Sequence, residues 1–288
     1  MKEFVSRRRN TPRLGKDARD KILTRIIELA PPDAPVPALT AKADMTGGPF
    51  QVPRLVDSWN DMAHISVNEA ALDKNLVITA SRTDPAHSAF EVLRTRLMMT
   101  LADKGWTRVV ITSPTDGCGK TFTAVNLGIA LSRYDSCRTL LLDMDMRRPG
   151  DMAKMLGARP PGSMAEFLRG GRAVENHLMR MGQNLLKIGP NLAIGLNDRV
   201  ESYASEILKH PDTTKVLQRM TAALQPDIVL YDMPSVLAHD DVLAFRDHFD
   251  AVLLVSGGGV TTSDDLAEVM RRIGDGIPLL GVILNRGD

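Results

Sequence analysis

A chain of 288 residues with 43% hydrophobic and 25% charged side chains has the make-up of a folded protein, one large α/β domain with an appendage or two small domains. Aromatic residues, at 4%, are too sparse for a surface that stacks single-stranded bases, and a net charge of +1 supplies no field for DNA or RNA, so no nucleic acid is expected. Two cysteines, Cys118 and Cys137, exclude a disulfide framework and fit a reducing compartment; neither a signal peptide nor a membrane span is expected, and the location is read as cytoplasmic.

Residues 1–74 read as an N-terminal extension. Residues 1–30 hold nine Lys/Arg against four Asp/Glu, a local +5 that leaves −4 for the remainder. The run Arg7-Arg8-Arg9 with Arg13 and Lys16 suits peripheral contact with anionic lipid or an acidic partner, although a solvated, unstructured end is the plainer reading. Ile22, Leu23, Ile26 and Ile27 predict an amphipathic helix over 16–29, which Pro31, Pro32, Pro35 and Pro37 stop. An irregular linker is expected through about residue 70.

Residues 75–288 form the second unit. Leu76–Thr79 reads as a short strand, Asp84-Pro85 as a turn, and Phe90, Leu93, Leu97 and Leu101 as one face of a helix over 86–103. Further strands are expected from Val109 and at Thr139–Leu142, Ile228–Tyr231, Ala251–Val255 and Leu279–Leu284. Helices are expected at 121–132, 201–224 (broken near Pro211), 238–247 and 263–273, where Leu266, Val269, Met270 and Ile273 make a core stripe. This alternation predicts an α/β fold, a mostly parallel sheet with helices on both faces and the strand C-termini gathered on one side.

Val109 to Thr123 reads V-V-I-T-S-P-T-D-G-C-G-K-T-F-T: a strand, a Gly-containing loop and a helix start, the order of the P-loop NTPase fold. Asp116, Gly117, Cys118, Gly119, Lys120, Thr121 and Phe122 are expected around a polyphosphate. The loop amides and helix dipole would favour the anion, Lys120 would bridge the β- and γ-phosphates, and the Thr121 hydroxyl would hold Mg²⁺. Pro114 stands where the usual pattern has its first glycine. A strand-to-helix turn that binds nothing is the weaker alternative, because a strand and a helix flank the loop in the required order. Cys118 reads as a small loop filler more readily than as a reactive thiol.

Leu140 to Asp145 is an apolar strand ending in two acids one residue apart, and Ile228 to Asp232 is a second apolar strand ending in an acid. Asp143 and Asp145 should leave their strand on one side, and both strands are expected to flank the loop. Helix capping explains one such acid; three point to metal or catalytic roles for Asp143, Asp145 and Asp232, an acid at the end of the second strand being placed to hold Mg²⁺. The six histidines show no ligand spacing, and no zinc site is expected.

L-L-L-D-M-D-M-R-R-P (Leu140 to Pro149), V-L-Y-D-M-P (Val229 to Pro234) and G-V-I-L-N-R (Gly281 to Arg286) together resemble the bacterial tyrosine kinases of capsule and exopolysaccharide synthesis, relatives of the ParA/MinD-type ATPases. The resemblance spans about residues 80–288. It implies ATP and Mg²⁺ as cofactors, Asp143 as the base toward the attacking hydroxyl, Asp145 in support of the metal site, Asp232 as a magnesium ligand and Asn285 against the adenine. It also implies a membrane polysaccharide co-polymerase or export protein as partner, and self-association. Asp241 matches a further acid of the family, with a helix cap as its alternative. Arg147 and Arg148 are read as contacts to phosphate or a neighbouring subunit, or equally as a solvated turn.

Three departures qualify the resemblance. Asp116 stands where partition-type ATPases carry a second lysine. The tyrosine-rich tail of the kinases has no counterpart among Tyr134, Tyr203 and Tyr231, the last expected to be buried. Of the ring-assembly pattern E-x-x-R-x-x-R only Arg94 fits, with Ser88 and Glu91 in the first two places. Two readings follow: an ATP-dependent kinase transferring phosphate to a protein hydroxyl, or a nucleotide-dependent regulatory ATPase acting on an export partner. A partition-type positioning ATPase is the third and weakest.

Overall fold

The computed structural model describes residues 59–67, 69–75, 77, 79, 85–182 and 184–285. The basic end, the helix expected over 16–29, the Pro-rich stretch, Asp84 and Arg286 lie outside the described residues.

Eight strands make one sheet in the order β1-β4-β5-β3-β6-β2-β7-β8. They are β1 (Ala63–Ile65), β2 (Arg108–Thr112), β3 (Thr139–Asp143), β4 (Leu178–Met181), β5 (Leu192–Gly195), β6 (Ile228–Asp232), β7 (Ala251–Gly257) and β8 (Leu279–Asn285). Strands β5, β3, β6, β2, β7 and β8 run parallel; β4 is antiparallel to β5, and β1 joins β4 in parallel. The fold class is therefore the expected one, with β1 and β4 reversing the direction assumed for every strand.

Period-two alternation divides the apolar residues between the two faces. Val110, Leu140, Leu142, Val229, Tyr231, Val252 and Leu254 enter one core; Val109, Ile111, Leu141, Leu230, Leu253 and Val255 enter the other. The second core is covered by α1 (Glu69–Lys74), α2 (Pro85–Lys104), α3 (Lys120–Leu131) and α4 (Asp151–Leu156). The first is covered by α5 (Met164–Leu168), α7 (Ala204–Lys209), α8 (Pro211–Leu224), α9 (Asp241–Ala244) and α10 (Ser263–Ile273), while α6 (Val174–His177) leads into β4. Helix α3 is buried from Thr123 to Leu131, because it lies between the sheet and its neighbours α2 and α4. The break expected near Pro211 separates α7 from α8, and Pro211 opens α8, where its missing N–H costs nothing.

Several expectations are corrected. The strand read at Leu76–Thr79 is absent among its described residues. Val77 and Thr79 are buried, but the Thr79 N–H and hydroxyl donate to the Asn126 side chain and carbonyl at 3.0 Å, which docks the segment on α3 instead of on a strand. The linker expected to be irregular through about residue 70 contains β1 and the start of α1, since Ala63–Ile65 finds backbone partners on β4. The helix expected over 238–247 shrinks to α9 and a 3₁₀ turn at Arg246–His248. The Val236 and Leu237 amides donate to the Ser113 and Pro114 carbonyls, tying that stretch to the loop after β2 and delaying the helix to Asp241. On α10, Val269 and Ile273 are core, but Met270 is exposed because its position has rotated past the sheet-facing stripe. Strand β6, not β3, flanks β2; the chain skips one place on leaving β2 and later fills it with β6.

Candidate nucleotide site

Strand β2 delivers the loop 113–119 to the N-terminus of α3, a helix of 12 residues with no side-chain cap at Gly119. Its first amides thus remain free for an anion, aided by the helix dipole. Gly117 and Gly119 have φ of 80° and 91°, a region that favours glycine. A Cβ on Gly119 would collide with the Asn285 side chain, whose Nδ2 donates to the Cys118 carbonyl at 2.9 Å. Cys118 is fully buried, its Sγ 3.4 Å from the Thr261 hydroxyl. The loop is thus held from β8 and from the segment after β7, and Cys118 is the filler anticipated for it.

Four charged groups meet beside the loop. Lys120 Nζ lies 2.7 Å from Asp145 Oδ2, with both side chains largely buried. Asp145 Oδ1 accepts the backbone N–H of Arg147 at 3.2 Å and of Arg148 at 3.0 Å. Asp143 and Asp232 are paired in register on β3 and β6 and are 2% and 1% exposed. Asp143 Oδ2 and both Asp232 oxygens lack a hydrogen bond of good geometry.

The electrostatics follow from this crowding. Burial first, and then the charges of Asp232 and Asp145, push the Asp143 carboxyl well above the usual carboxylate range. Burial raises Asp232 to about 6 against the pull of Lys120 and the nearby Thr121 hydroxyl. Burial also works against the Lys120 charge, but Asp232, Asp145 and Asp143 outweigh it and hold its pKa above the ordinary value. Three carboxylates around one ammonium leave a shortage of positive charge where water is excluded.

The orphaned oxygens of Asp143 and Asp232 fit a cation. No group of three or more His, Cys, Asp or Glu among the described residues forms a metal cage. A magnesium site beside a phosphate loop does not need one, because one or two carboxylates suffice when phosphate and water complete the shell.

The expected residues therefore converge: Gly117, Cys118, Gly119, Lys120, Thr121 and Asn285 about the loop, and Asp143, Asp145 and Asp232 at the strand ends. Phe122 is half-buried on α3, packed edge-on against Phe90 at 5.8 Å between ring centroids. Asp116 turns to the rim, accepting from the Ser235 hydroxyl at 2.5 Å and pairing with Arg148 at 2.8 Å. Arg147 pairs with Asp241 and is partly buried, which corrects its reading as part of a solvated turn, and Asp241 caps nothing through its side chain. Ser235 escaped the sequence reading, as did the pairing of Asp241 with Arg147; only D-M-D-M-R-R, with two arginines just past Asp145, hinted at the latter.

Residues 109–288 match the CobQ/CobB/MinD/ParA nucleotide binding domain, more than half of the chain, and the chain belongs to that family. It is 31% identical over 207 residues to EpsB of Ralstonia solanacearum, covering 71% of this chain and 26% of EpsB. It is 26% identical over 211 residues to the tyrosine-protein kinase Wzc of Salmonella typhi, covering 73% of this chain and 28% of Wzc. The chain thus spans about a quarter of the length of these curated relatives. Its fold is that of the chimerical protein CapA2B2 (TM-score 0.66, 21% identity, 81% of this chain and 97% of that one) and of the kinase domain of the Escherichia coli tyrosine kinase ETK (TM-score 0.63, 21% identity, 83% and 97%). No helix among the described residues is long and apolar enough to cross a membrane.

Proposed function

We propose that this chain is the catalytic domain of a tyrosine-protein kinase of exopolysaccharide or capsule synthesis, which binds ATP with Mg²⁺ and transfers the γ-phosphoryl group to a protein hydroxyl. The observation that carries this reading is the convergence of a phosphate loop, Lys120 on Asp145, and the buried, unpartnered oxygens of Asp143 and Asp232. The loop amides and Lys120 bind the phosphates, Lys120 exchanging Asp145 for phosphate oxygen. Thr121 and Asp232, with Asp143 beside them, would hold Mg²⁺. When bound, that ion neutralises charge on the phosphates. Asp143 accepts the proton of the attacking hydroxyl as the new O–P bond forms, and ADP departs with the electrons of the broken bond.

A membrane-bound polysaccharide-export protein is the partner this reading calls for. Self-association through Arg94 is disfavoured: its guanidinium pairs with Glu91, donates to the Ala130 carbonyl and lies 4.5 Å over the Tyr134 ring. The partition-type reading is disfavoured too, because Asp116 replaces the second lysine and is engaged within the chain.

Purified protein should bind ATP–Mg²⁺, and Lys120→Ala should abolish binding; undiminished binding in that variant removes the reading. Incubation with γ-labelled ATP, read separately for phosphoprotein and released phosphate, distinguishes a kinase from a regulatory ATPase.

A further inference from the structure

Arg147 and Asp241 make a part-buried contact to which phosphate binding assigns no part. Arg147 Nε and Nη2 donate to the two oxygens of Asp241 at 2.9 and 2.8 Å, while Nη1 donates to the Ser202 carbonyl at 2.8 Å. The Asp241 side chain is 1% exposed. One guanidinium therefore joins three segments, each following a different strand: the turn after β3, the loop after β5 and helix α9 after β6. A backbone bond from Glu201 N–H to the Met146 carbonyl at 2.8 Å doubles one of these links.

The turn so held is the one that holds Asp145. The amides of Arg147 and Arg148 fix Asp145 Oδ1, which leaves Oδ2 facing Lys120. Burying the Asp241 end of this pair costs free energy that the pairing has to offset, so stability alone does not account for it. A forked arginine contact does, however, admit a single geometry.

We infer that Arg147 and Asp241 are positioning residues, a clamp that sets the 145–148 turn and with it the place of Asp145. Neither touches the reacting atoms. The effect on turnover rests on the proposed function; the effect on the turn does not.

The test uses the full chain carrying Asp241→Asn, which keeps the shape and removes the charge. Amide hydrogen exchange across residues 144–149 should accelerate by about tenfold or more while residues 108–112 stay as in the parent. Turnover at saturating ATP should fall by about tenfold or more, with KM and the affinity for a fluorescent ATP analogue within about threefold. Arg147→Ala with Asp241→Ala should lose no more than the worse single change, because the two act as a unit. Exchange and turnover both within about twofold of the parent, or losses that add, overturn the clamp. If Asp241→Asn fails to fold, Arg147→Lys, which keeps the charge and loses the fork, is held to the same thresholds. A parent that binds no nucleotide, with exchange at 144–149 still raised in the variant, refutes the nucleotide reading and upholds the clamp. A parent that turns over, with both variants unchanged, does the reverse.

Discussion

Asp250 and Asp232 stand at opposite ends of the same sheet and have opposite surroundings. Asp250, just before β7, accepts the backbone N–H groups of Thr107 and Arg108 at 2.9 and 2.8 Å and the Arg108 guanidinium at 2.6 Å. Its partial burial would raise its pKa, but Arg108 and the two amides outweigh that and hold it below the usual carboxylate range. Asp232, at the end of β6, is more deeply buried and has no well-formed partner, so its carboxyl rises to about 6. A carboxylate satisfied by its own chain holds structure together. One left unsatisfied at a buried strand end is a site for something that arrives.

Four substitutions would break or sharpen this contrast. Lys120→Ala should have the largest effect, weakening nucleotide binding by about 100-fold or more in calorimetric titration, since it removes the one ammonium among three carboxylates.

Asp232→Asn comes next and should stabilise the nucleotide-free protein. The folded carboxyl keeps its proton up to a pH of about 6, whereas the unfolded one releases it near 3.8. Between those values the folded state binds the extra proton. The contribution of Asp232 is therefore fully present below 3.8 and lost as pH rises through about 6. The difference between 3.8 and about 6 corresponds to at most about 3 kcal/mol. Denaturant unfolding in chelator should show the Asn variant more stable than the parent at pH 7 and level with it at pH 4. A less stable variant at pH 7 would mean that Asp232 is satisfied after all.

Asp250→Ala should act in the opposite direction, costing about 2 kcal/mol in unfolding while leaving nucleotide affinity unchanged within about twofold. Its depressed pKa sets the opposite pH dependence: stabilisation is present above 3.8 and lost as pH falls through the folded value. Arg148→Ala should matter least. Its pair with Asp116 is about half exposed on both sides, and such contacts contribute less than about 0.5 kcal/mol. A larger loss in thermal unfolding would show that the rim of the loop bears on stability.

Much of the site was legible in the sequence because its signals are local. V-V-I-T, the two glycines, Lys120 and Thr121 fall within one stretch from 109 to 121, and an acid ending an apolar run reads as a strand tip without knowledge of any neighbour. The central strands were legible for a related reason: a strand buried on both faces is a continuous apolar run. Strands β1 and β4 have 3 and 4 residues, with His64 inside β1 and Arg180 inside β4, so no run marks them, while β5 is an apolar run of only 4 residues. Their pairing, more than their composition, makes them strands.

By itself the sequence determined a phosphate loop, three strand-end acids and the alternation that demands a mostly parallel sheet, because each is written in neighbouring residues and obeys a short period. Tertiary structure decided which of these groups meet. Lys120 reaches Asp145 across 25 positions, Arg147 reaches Asp241 across 94, and Asn285 reaches Cys118 across 167. No local pattern encodes such contacts, since they depend on strand order, and that order placed β6 between β2 and β3. It also decided which carboxylates were left without partners, a property of the packed surroundings and not of any residue in them.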